Sequence, residues 1–378
     1  MKTEQWRWQA TDAAWKPHGR AARIAPQIAF VFGEPSLLRR AELVPELRSF
    51  WPGAVIVGCS TAGEICDTEV TDATLVATAV EFEHTRVMTA LARLGEAANS
   101  RELGTRLAHG LPHDGLVHAF VLCDGLHVNG SELVQGLTGA LPPSVAVTGG
   151  LSGDGSRFAE TLVRRDAECG PDRAVAVGFY GDRLRVGCAS LGGWDTFGPE
   201  RTITRASGNV LYELDGRSAL ALYRKYLGHA AEGLPATGLL FPLSVRIDGH
   251  EPVVRTILSI DEHEQSMTFA GDVPQGALAR LMRANFDRLI DGAVGAAQAS
   301  QTGAGAADPD LAILISCVGR KLVLKQRVEE EVEGVRQVLG ARPVLTGFYS
   351  YGEISPFVPN ARCELHNQTM TITTLAER

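Results

Sequence analysis

Apolar and polar positions follow the same order three times along this chain. Each copy has a short apolar run, a segment with helical spacing, a second apolar run and a glycine-rich turn, which is the order of a strand–helix–strand unit. The predicted first strands are Ile28–Phe32, Val117–Leu122 and Leu311–Cys317, the helices are Leu37–Phe50, Ser131–Leu141 and Val328–Leu339, and the second strands are Ala54–Val57, Val145–Thr148 and Pro343–Thr346. The repetition predicts a scaffold with several equivalent turns.

The three glycine-rich turns also resemble one another residue by residue. The first turn is Gly58–Ile65, the second is Gly149–Asp154 and the third is Gly347–Ile354. The first and third share the pattern G-x4-G-E-I, while the second is one residue shorter and ends in aspartate. A strand that ends in such a turn, with small hydroxyl side chains and an acid, can hold a small ligand.

The pattern outside the repeats completes the predicted fold class. Alternating runs predict an antiparallel meander over 239–270, and helices are predicted at Asn209–Leu214, Ser218–Leu227 and Leu278–Gln298. The prediction is an α/β fold with α+β layers, in which two related domains have mixed sheets built from strand–helix–strand units. Residues 1–25 are expected to form a leader, with an N-terminal domain over 26–228 and a C-terminal domain over 229–378.

Composition and charge exclude several classes of function. The 378 residues carry a net charge of −8, without any run of Lys or Arg, which disfavours nucleic acid and anionic membrane surfaces as partners. No stretch is apolar for the ~18 residues of a membrane span, and the N-terminus lacks the features of a signal peptide. The seven cysteines are scattered without metal-ligand spacing. A cytoplasmic location is therefore expected.

The acids of the turns decide which ligand is expected there. The spacing from Gly58 to Gly63 is that of a phosphate loop, but Glu64 follows where such a loop has lysine, which disfavours nucleotides. A carboxylate beside hydroxyls and backbone N–H groups instead suits a zwitterion. The candidates for its ammonium are Glu64, Asp154 and Glu353, and those for its carboxylate are Arg157, Arg164 and Arg320. The alternative is that these acids cap a turn or pair locally.

Further side chains of the turns are candidate ligand contacts or reactive groups. Ser60, Thr61, Tyr349 and Tyr351 are expected to line the ligand site, although the tyrosines could equally pack between domains. Cys59 is a possible nucleophile of a hydrolase or transferase, but no base is paired with it in the sequence, so an enzyme is not the preferred prediction.

Haem is the alternative cofactor, whereas the preferred prediction has no cofactor and no metal. His127 and His366 are the candidate axial ligands, since both lie in otherwise patterned segments. The chain has no C-x-x-C-H attachment motif.

The motifs, taken in order, resemble the FIST sensory domain with its N-terminal and C-terminal halves. They are the three turns together with Leu122–Leu126, Gly193–Trp194, Gly208–Gly216, Phe269–Pro274, Ser316–Arg320 and Leu365–Thr371. The resemblance implies a small-molecule sensor in signal transduction, with amino acids as the proposed ligand class. It also implies, for some relatives, binding of haem and sensing of nitric oxide. Many members are fused to an output module for which this chain has no room, so a separate signalling protein, such as a histidine kinase or a cyclic-di-nucleotide enzyme, is the expected partner.

Overall fold

Three strand–helix–strand units form the body of the protein. The computed structural model describes residues 1–19, 24–247, 252–303, 308–357 and 361–378. The first unit, with the hairpin before it, comprises β1 (Lys2–Gln9), β2 (Ala14–His18), β3 (Ile28–Gly33), α1 (Pro35–Leu38), α2 (Leu43–Phe50), β4 (Val55–Ser60), β5 (Glu64–Cys66), β6 (Glu69–Thr71) and β7 (Thr74–Glu81).

The second unit repeats the order strand, helix, strand, hairpin and long strand, but it begins with a strand and a helix where the first begins with a hairpin. It comprises β8 (Arg86–Arg93), a 3-10 turn (Leu94–Glu96), α3 (Ser100–His109), β9 (Leu116–Cys123), α4 (Gly130–Ala140), β10 (Ala146–Leu151), β11 (Val163–Arg165), β12 (Glu168–Gly170) and β13 (Arg173–Tyr180). Asn129 caps α4, because its Oδ1 accepts the N–H groups of Ser131 (3.0 Å) and Glu132 (3.2 Å). This cap fixes the first turn of a helix that borders the candidate site.

The third unit is interrupted by a β-rich segment, here called the insert (residues 195–283). The unit begins with β14 (Leu184–Leu191), and the insert then comprises β15 (Asp195–Ser207), β16 (Val210–Leu214), β17 (Arg217–Ser218), α5 (Ala219–Leu227), 3-10 turns (Gly228–Gly233 and Ala236–Leu240), β18 (Leu243–Arg246), β19 (Val253–Arg255), β20 (Ile257–Asp261), β21 (Ser266–Phe269) and β22 (Leu278–Arg283). The unit resumes with α6 (Phe286–Gly303), β23 (Leu311–Cys317), α7 (Val318–Leu324), a 3-10 turn (Lys325–Arg327), α8 (Val328–Leu339), β24 (Val344–Ser350), β25 (Gly352–Pro356), β26 (Cys363–His366) and β27 (Met370–Glu377).

Three of the four sheets are built alike and interlock the units. Sheet A has the order β12-β11-β4-β3-β7-β1-β2, sheet B β14-β27-β23-β24-β5-β6, and sheet C β26-β25-β10-β9-β13-β8. Each contains one parallel pair joined through a helix, and a hairpin from another unit pairs antiparallel with its second strand. The hairpin β5–β6 of the first unit thus lies in sheet B with the third unit. The hairpin β11–β12 of the second unit lies in sheet A with the first unit, and the hairpin β25–β26 of the third unit lies in sheet C with the second unit. The insert forms its own sheet, β19-β18-β22-β15-β16-β21-β20, with β17 beside β16.

The predicted α/β class with mixed sheets is confirmed, and several local predictions are wrong. Strand β1 pairs with β7 along its whole length and so forms part of sheet A. The predicted helix Asn209–Leu214 is strand β16, and the predicted helix Leu278–Gln298 is divided between β22 and α6. Sheets B and C each combine strands from both sides of residue 228.

The inner faces of sheets A, B and C share one apolar core. Phe30 and Phe120 meet edge to face with ring centroids 5.4 Å apart, and Phe32 and Phe348 lie 4.7 Å apart. Full burial of such a side chain stabilises the fold by about 1.5–3 kcal/mol. This core joins β4 and β24, whose ends carry the first and third turns, to β9 of the second unit. No helix within the described ranges combines the length and apolar composition that crossing a membrane requires.

Candidate functional site

The three glycine-rich turns bind one another in a closed ring. Each turn donates at least one backbone N–H to a carbonyl of another turn, so that all three are linked. The bonds run from Gly153 N to Ser60 O (2.9 Å), from Tyr351 N to Leu151 O (3.3 Å) and from Ala62 N to Tyr349 O (2.8 Å). The ring therefore satisfies backbone donors that sequence reasoning left free for a ligand.

Glu64 is buried behind the first turn and is fully hydrogen-bonded. One carboxylate oxygen accepts the Thr61 hydroxyl, and the other accepts the N–H (3.1 Å) and hydroxyl (2.6 Å) of Thr74. Desolvation is the largest influence and raises the pKa of Glu64 to about 7. Ser60 is bonded in a similar way, since its Oγ accepts the N–H of Leu162 at 2.8 Å.

Glu353 has the same surroundings behind the third turn. Its carboxylate accepts the Ser350 hydroxyl (2.6 Å), the Thr369 N–H (3.2 Å) and the Thr369 hydroxyl (2.9 Å). Burial raises the pKa of Glu353 to about 8. Both glutamates join a turn to the start of the next long strand, which is the capping role that the sequence left open as the alternative.

Asp154 joins the second turn to the third. Its carboxylate accepts the N–H groups of Phe158, Ala159 and Glu160 at 2.9 Å each, and it also accepts the hydroxyl of Tyr351. The ring of Tyr351 stacks on Phe158, with centroids 4.5 Å apart. Asp154 is 1% exposed. The side chain thus works as a structural link with little surface for a ligand.

The three predicted arginines lie apart from one another. Arg157 is exposed and pairs with Glu34 at 3.2 Å and with Asp154 at 3.9 Å. Arg164 is buried and donates to the carbonyl oxygens of Leu38 and Asp166 through all three nitrogens. Arg320 is fully buried and pairs with Glu331 at 2.7 Å.

Arg320 and Glu331 centre a buried polar network. Arg320 also donates to the carbonyl oxygens of Gly192 (2.8 Å) and Leu289 (2.6 Å). Glu331 accepts the hydroxyl of Tyr349 at 2.6 Å. Such a pair, with each partner hydrogen-bonded, is an internal support of the fold.

Cys59 does not fit the role of a nucleophile, and His127 and His366 do not fit the role of haem ligands. Desolvation raises the pKa of the Cys59 thiol well above its usual value, which is opposite to the activation of a nucleophile. His366 is buried against Phe357 and bonds to Ser355 O at 2.7 Å, and desolvation lowers its pKa to about 4. Neither His366 nor the half-exposed His127 lines a cleft described below, so the residues at hand do not form a haem slot.

One group among the described residues has atoms close enough to hold a metal ion. The ligand atoms of Asp124, His127 and Asp172 lie within 4.8 Å of one another. Asp124 is already hydrogen-bonded to the ring of His127 (3.0 Å) and to the Asp172 N–H (2.7 Å). These bonds explain the cluster without an ion.

A cleft of about 240 Å³ lies where the insert meets the second and third units. Helix α4 forms one wall, strands β18 and β19 of the insert form another, and β26 lies at the base. The lining residues are Ser131, Val134, Gln135, Thr138, Val245, Ile247, Val253, Arg255, Asp272, Pro274, Arg362, Cys363, Glu364 and Leu365. A second, open depression over Arg39, Arg157 and Glu160 is lined by arginines that are already paired with acids.

Arg255 is the unusual residue of this cleft. It is 6% exposed, and its Nε and Nη1 donate to the carbonyl oxygens of Asp272 (2.9 Å), Leu365 (3.0 Å) and Val254 (3.2 Å). Its Nη2 has no hydrogen-bond partner in the part of the chain that the structure describes, and no acid there pairs with it within 4.0 Å. Desolvation lowers its pKa to about 10, so the guanidinium stays charged at neutral pH.

Acidic oxygens lie in the same cleft. Asp272 accepts the Asn129 amide at 2.9 Å through one oxygen, and the other has no partner among the described residues. The carboxylate of Glu364 has no partner there either. Both acids act on the charge of Arg255. The cleft therefore contains a cationic group and carboxylate oxygens that have no hydrogen-bond partner among the described residues.

Gly271 brings these groups together. A Cβ at this position would lie 2.9 Å from Leu365 Cδ2 and 3.0 Å from both Arg255 Nε and Ser131 Oγ. A larger residue would push these three side chains away, so glycine favours this close approach of the insert to α4. Sequence reasoning named the Phe269–Pro274 motif without a ligand role and missed Arg255. The signal for Arg255 was a single charge within the apolar run 253–260.

The cleft is joined to the third turn through β26. Leu365 lies opposite Ile354 in the β25–β26 pair, and Glu353 lies opposite His366. A Cβ at Gly352 would come within 3.1 Å of Leu365. A change in the cleft therefore acts on a strand that is paired directly with the third turn.

Comparison with known proteins identifies the family. The chain matches the FIST N domain over residues 27–217 and the FIST C domain over residues 219–356. It is also similar to the crystal structure of a cyanuric acid hydrolase from A. caulinodans (TM-score 0.37) and to a second cyanuric acid hydrolase structure (TM-score 0.35), each with 9% identity over 100% of this chain and 99% of the other. Matches this distant carry no argument about function. No curated protein matches. The chain therefore belongs to the FIST family, whose domains are sensory domains of signal transduction.

Proposed function

We propose that this protein senses a small molecule of the amino-acid class, which binds in the cleft beside Arg255. The single observation that supports this most is the buried guanidinium with an unused Nη2 and no acid within ion-pair distance among the described residues. The charge of this largely buried guanidinium is compensated only by acids beyond ion-pair distance. A ligand carboxylate would compensate it directly through a charge-assisted hydrogen bond.

The acids of the cleft suit the other end of the ligand. Asp272 and Glu364 have free oxygens and would accept from an ammonium group. A simple anion would gain from Arg255 but would lie near these acids. A zwitterion satisfies both signs, and this favours an amino acid over an inorganic anion.

The position of the cleft supports a relay to another protein. One wall belongs to the insert and the others to the second and third units, so a ligand that contacts both stabilises their present arrangement. The bound state would then be recognised on the surface by a separate signalling protein, for which a histidine kinase or a cyclic-di-nucleotide enzyme is the expected class. The turns contribute as the rigid ring on which β26 is held.

A thermal-shift screen against the twenty amino acids tests the proposal. A ligand at one hundred times its dissociation constant adds about 2.7 kcal/mol, which is a shift of a few degrees. We expect the shift for one class of amino acid and its loss in Arg255→Gln.

The matched control is Arg164→Gln, which also removes a buried guanidinium bonded to carbonyl oxygens but lies outside the cleft. This variant should keep the shift, measured against its own melting temperature. A flat panel, or a shift that survives Arg255→Gln, would contradict the proposal.

A further inference from the structure

We infer that the cleft selects an α-amino acid with an apolar side chain of about the size of leucine, an inference that rests on the proposed function. The cleft has a charged end at Arg255 and Asp272 and continues along one face of α4. Half of the residues that line it are apolar; they include Val134, Val245, Val253 and Pro274.

The polar side chains of the α4 wall are already bonded within the protein. The Thr138 hydroxyl donates to Val134 O at 2.8 Å, which leaves its methyl group for contact. The Ser131 hydroxyl accepts the Asp272 N–H at 3.3 Å, and the Gln135 carbonyl accepts from Arg101. The Gln135 amide N–H groups and the Ser131 O–H remain as donors on this wall, so a polar ligand side chain would exchange its bonds to water for few partners along α4.

The order of residues along α4 sets the direction of the ligand. Ser131 lies at the charged end, since its Oγ and Arg255 Nε would both be 3.0 Å from a Cβ at Gly271. Thr138 is two turns further along the same helix, about 10 Å away. An amino acid with its carboxylate on Arg255 thus directs its side chain along Val134 towards Thr138.

The volume of the cleft limits the size of the side chain that the bound amino acid can have. At about 240 Å³ it lies below the ~300–1,000 Å³ of most small-molecule pockets. A single amino acid of modest size suits this space, whereas a nucleotide or a dipeptide with two large side chains is too long.

Calorimetric titration of the full chain tests this inference with five probes. They are L-leucine, 4-methylpentanoate (leucine without its amine), isopentylamine (leucine without its carboxylate), L-glutamate and L-lysine. We expect L-leucine to bind at least ~10-fold more tightly than either truncated analogue, because each lacks one charge-assisted hydrogen bond. We expect no measurable binding of glutamate or lysine.

A charge placed at the far end of the cleft provides the matched variant. Thr138→Asp should weaken leucine binding by ~10-fold or more, since it puts a carboxylate against the ligand's apolar end. Thr302→Asp is the control, because Thr302 makes the same hydroxyl bond to the carbonyl four residues earlier (3.2 Å) but is exposed on α6. It should leave leucine binding unchanged.

The outcomes separate this inference from the proposed function. Leucine binding with the stated ranking supports both. If glutamate or lysine binds in an Arg255-dependent way while leucine does not, the inference is wrong and the proposed function stands. If 4-methylpentanoate binds as tightly as leucine, or if Thr138→Asp has no effect, the inference is also overturned. If no amino acid binds, both are overturned.

Discussion

Glu64 and Glu353 occupy equivalent places in the first and third turns. Each accepts the hydroxyl of the residue three positions before it, and each accepts the N–H and hydroxyl of a threonine at the start of the next long strand. The shared G-x4-G-E-I pattern thus encodes a buried link between a turn and a strand. The link keeps the turns rigid, and the cleft beside Arg255 is held against this rigid ring.

The two glutamates predict how stability depends on pH. Burial raises their pKa values from 4.5 to about 7 and about 8. The folded state then binds more protons than the unfolded state between about pH 4.5 and about pH 8, so the protein loses stability as pH rises through this range. The double variant Glu64→Gln, Glu353→Gln should lose less stability than the wild type between about pH 5 and about pH 9. Urea unfolding at each pH measures this, and an identical pH dependence would contradict the burial argument.

Truncation of Glu353 should destabilise the fold. Glu353→Ala should lower the free energy of unfolding by about 1–3 kcal/mol or more, because the hydroxyl of Ser350 and the N–H and hydroxyl of Thr369 lose their acceptor. The melting temperature measures the loss. An unchanged melting temperature together with lost ligand binding would instead show that Glu353 contacts the ligand, as the sequence suggested.

Breaking the buried ion pair between Arg320 and Glu331 should lower the free energy of unfolding by a larger amount. Arg320→Met leaves Glu331 fully buried without its cation, and removal of one partner of such a pair costs about 3–5 kcal/mol. Chemical denaturation measures the cost. Arg157→Met is the control, because that arginine is exposed to solvent and its pairs with Glu34 and Asp154 each contribute at most about 1 kcal/mol. Equal losses in the two variants would contradict the account of Arg320.

Substitution of Gly271 should weaken ligand binding although it changes no charge in the cleft. In Gly271→Ala the new Cβ would meet Leu365, Arg255 and Ser131 at 2.9–3.0 Å, so these side chains must shift by a few tenths of an ångström. We expect ligand affinity to fall by ~10-fold or more, since the guanidinium of Arg255 is displaced. Titration of the best amino acid measures the change.

The control for Gly271→Ala is Gly139→Ala, at a helical position with nothing within 4 Å of the new Cβ. That substitution should leave affinity unchanged and stabilise the protein by about 0.5–1 kcal/mol. Equal affinities in the two variants would contradict the role given to Gly271.

The repeated strands and helices could be predicted because the apolar residues of each element recur at one regular spacing. The strands and helices of the three units lie within a few residues of the predicted ranges, since apolar runs and helical spacing are local signals. Two local errors have clear causes. Val210–Leu214 is rich in strand-forming residues and precedes the turn Asp215–Gly216, and Asn285 starts α6 by accepting the Arg288 N–H at 3.3 Å.

The site could not be predicted because its parts are distant in sequence. Arg255 is buried by contact with Leu365, which lies 110 residues later, and a single arginine in a strand is usually exposed. The turn acids were found, but their partners Thr74 and Thr369 follow in the next strand. The interlocking of the three units depends on pairing between strands of different repeats, which no local pattern encodes.

A crystal structure with the amino acid that gives the largest thermal shift tests the central claim most directly. The account predicts the ligand carboxylate within about 3 Å of Arg255 Nη2 and its ammonium at Asp272 or Glu364. A ligand bound at the ring of turns, in contact with Glu64 or Glu353 and away from Arg255, would contradict it.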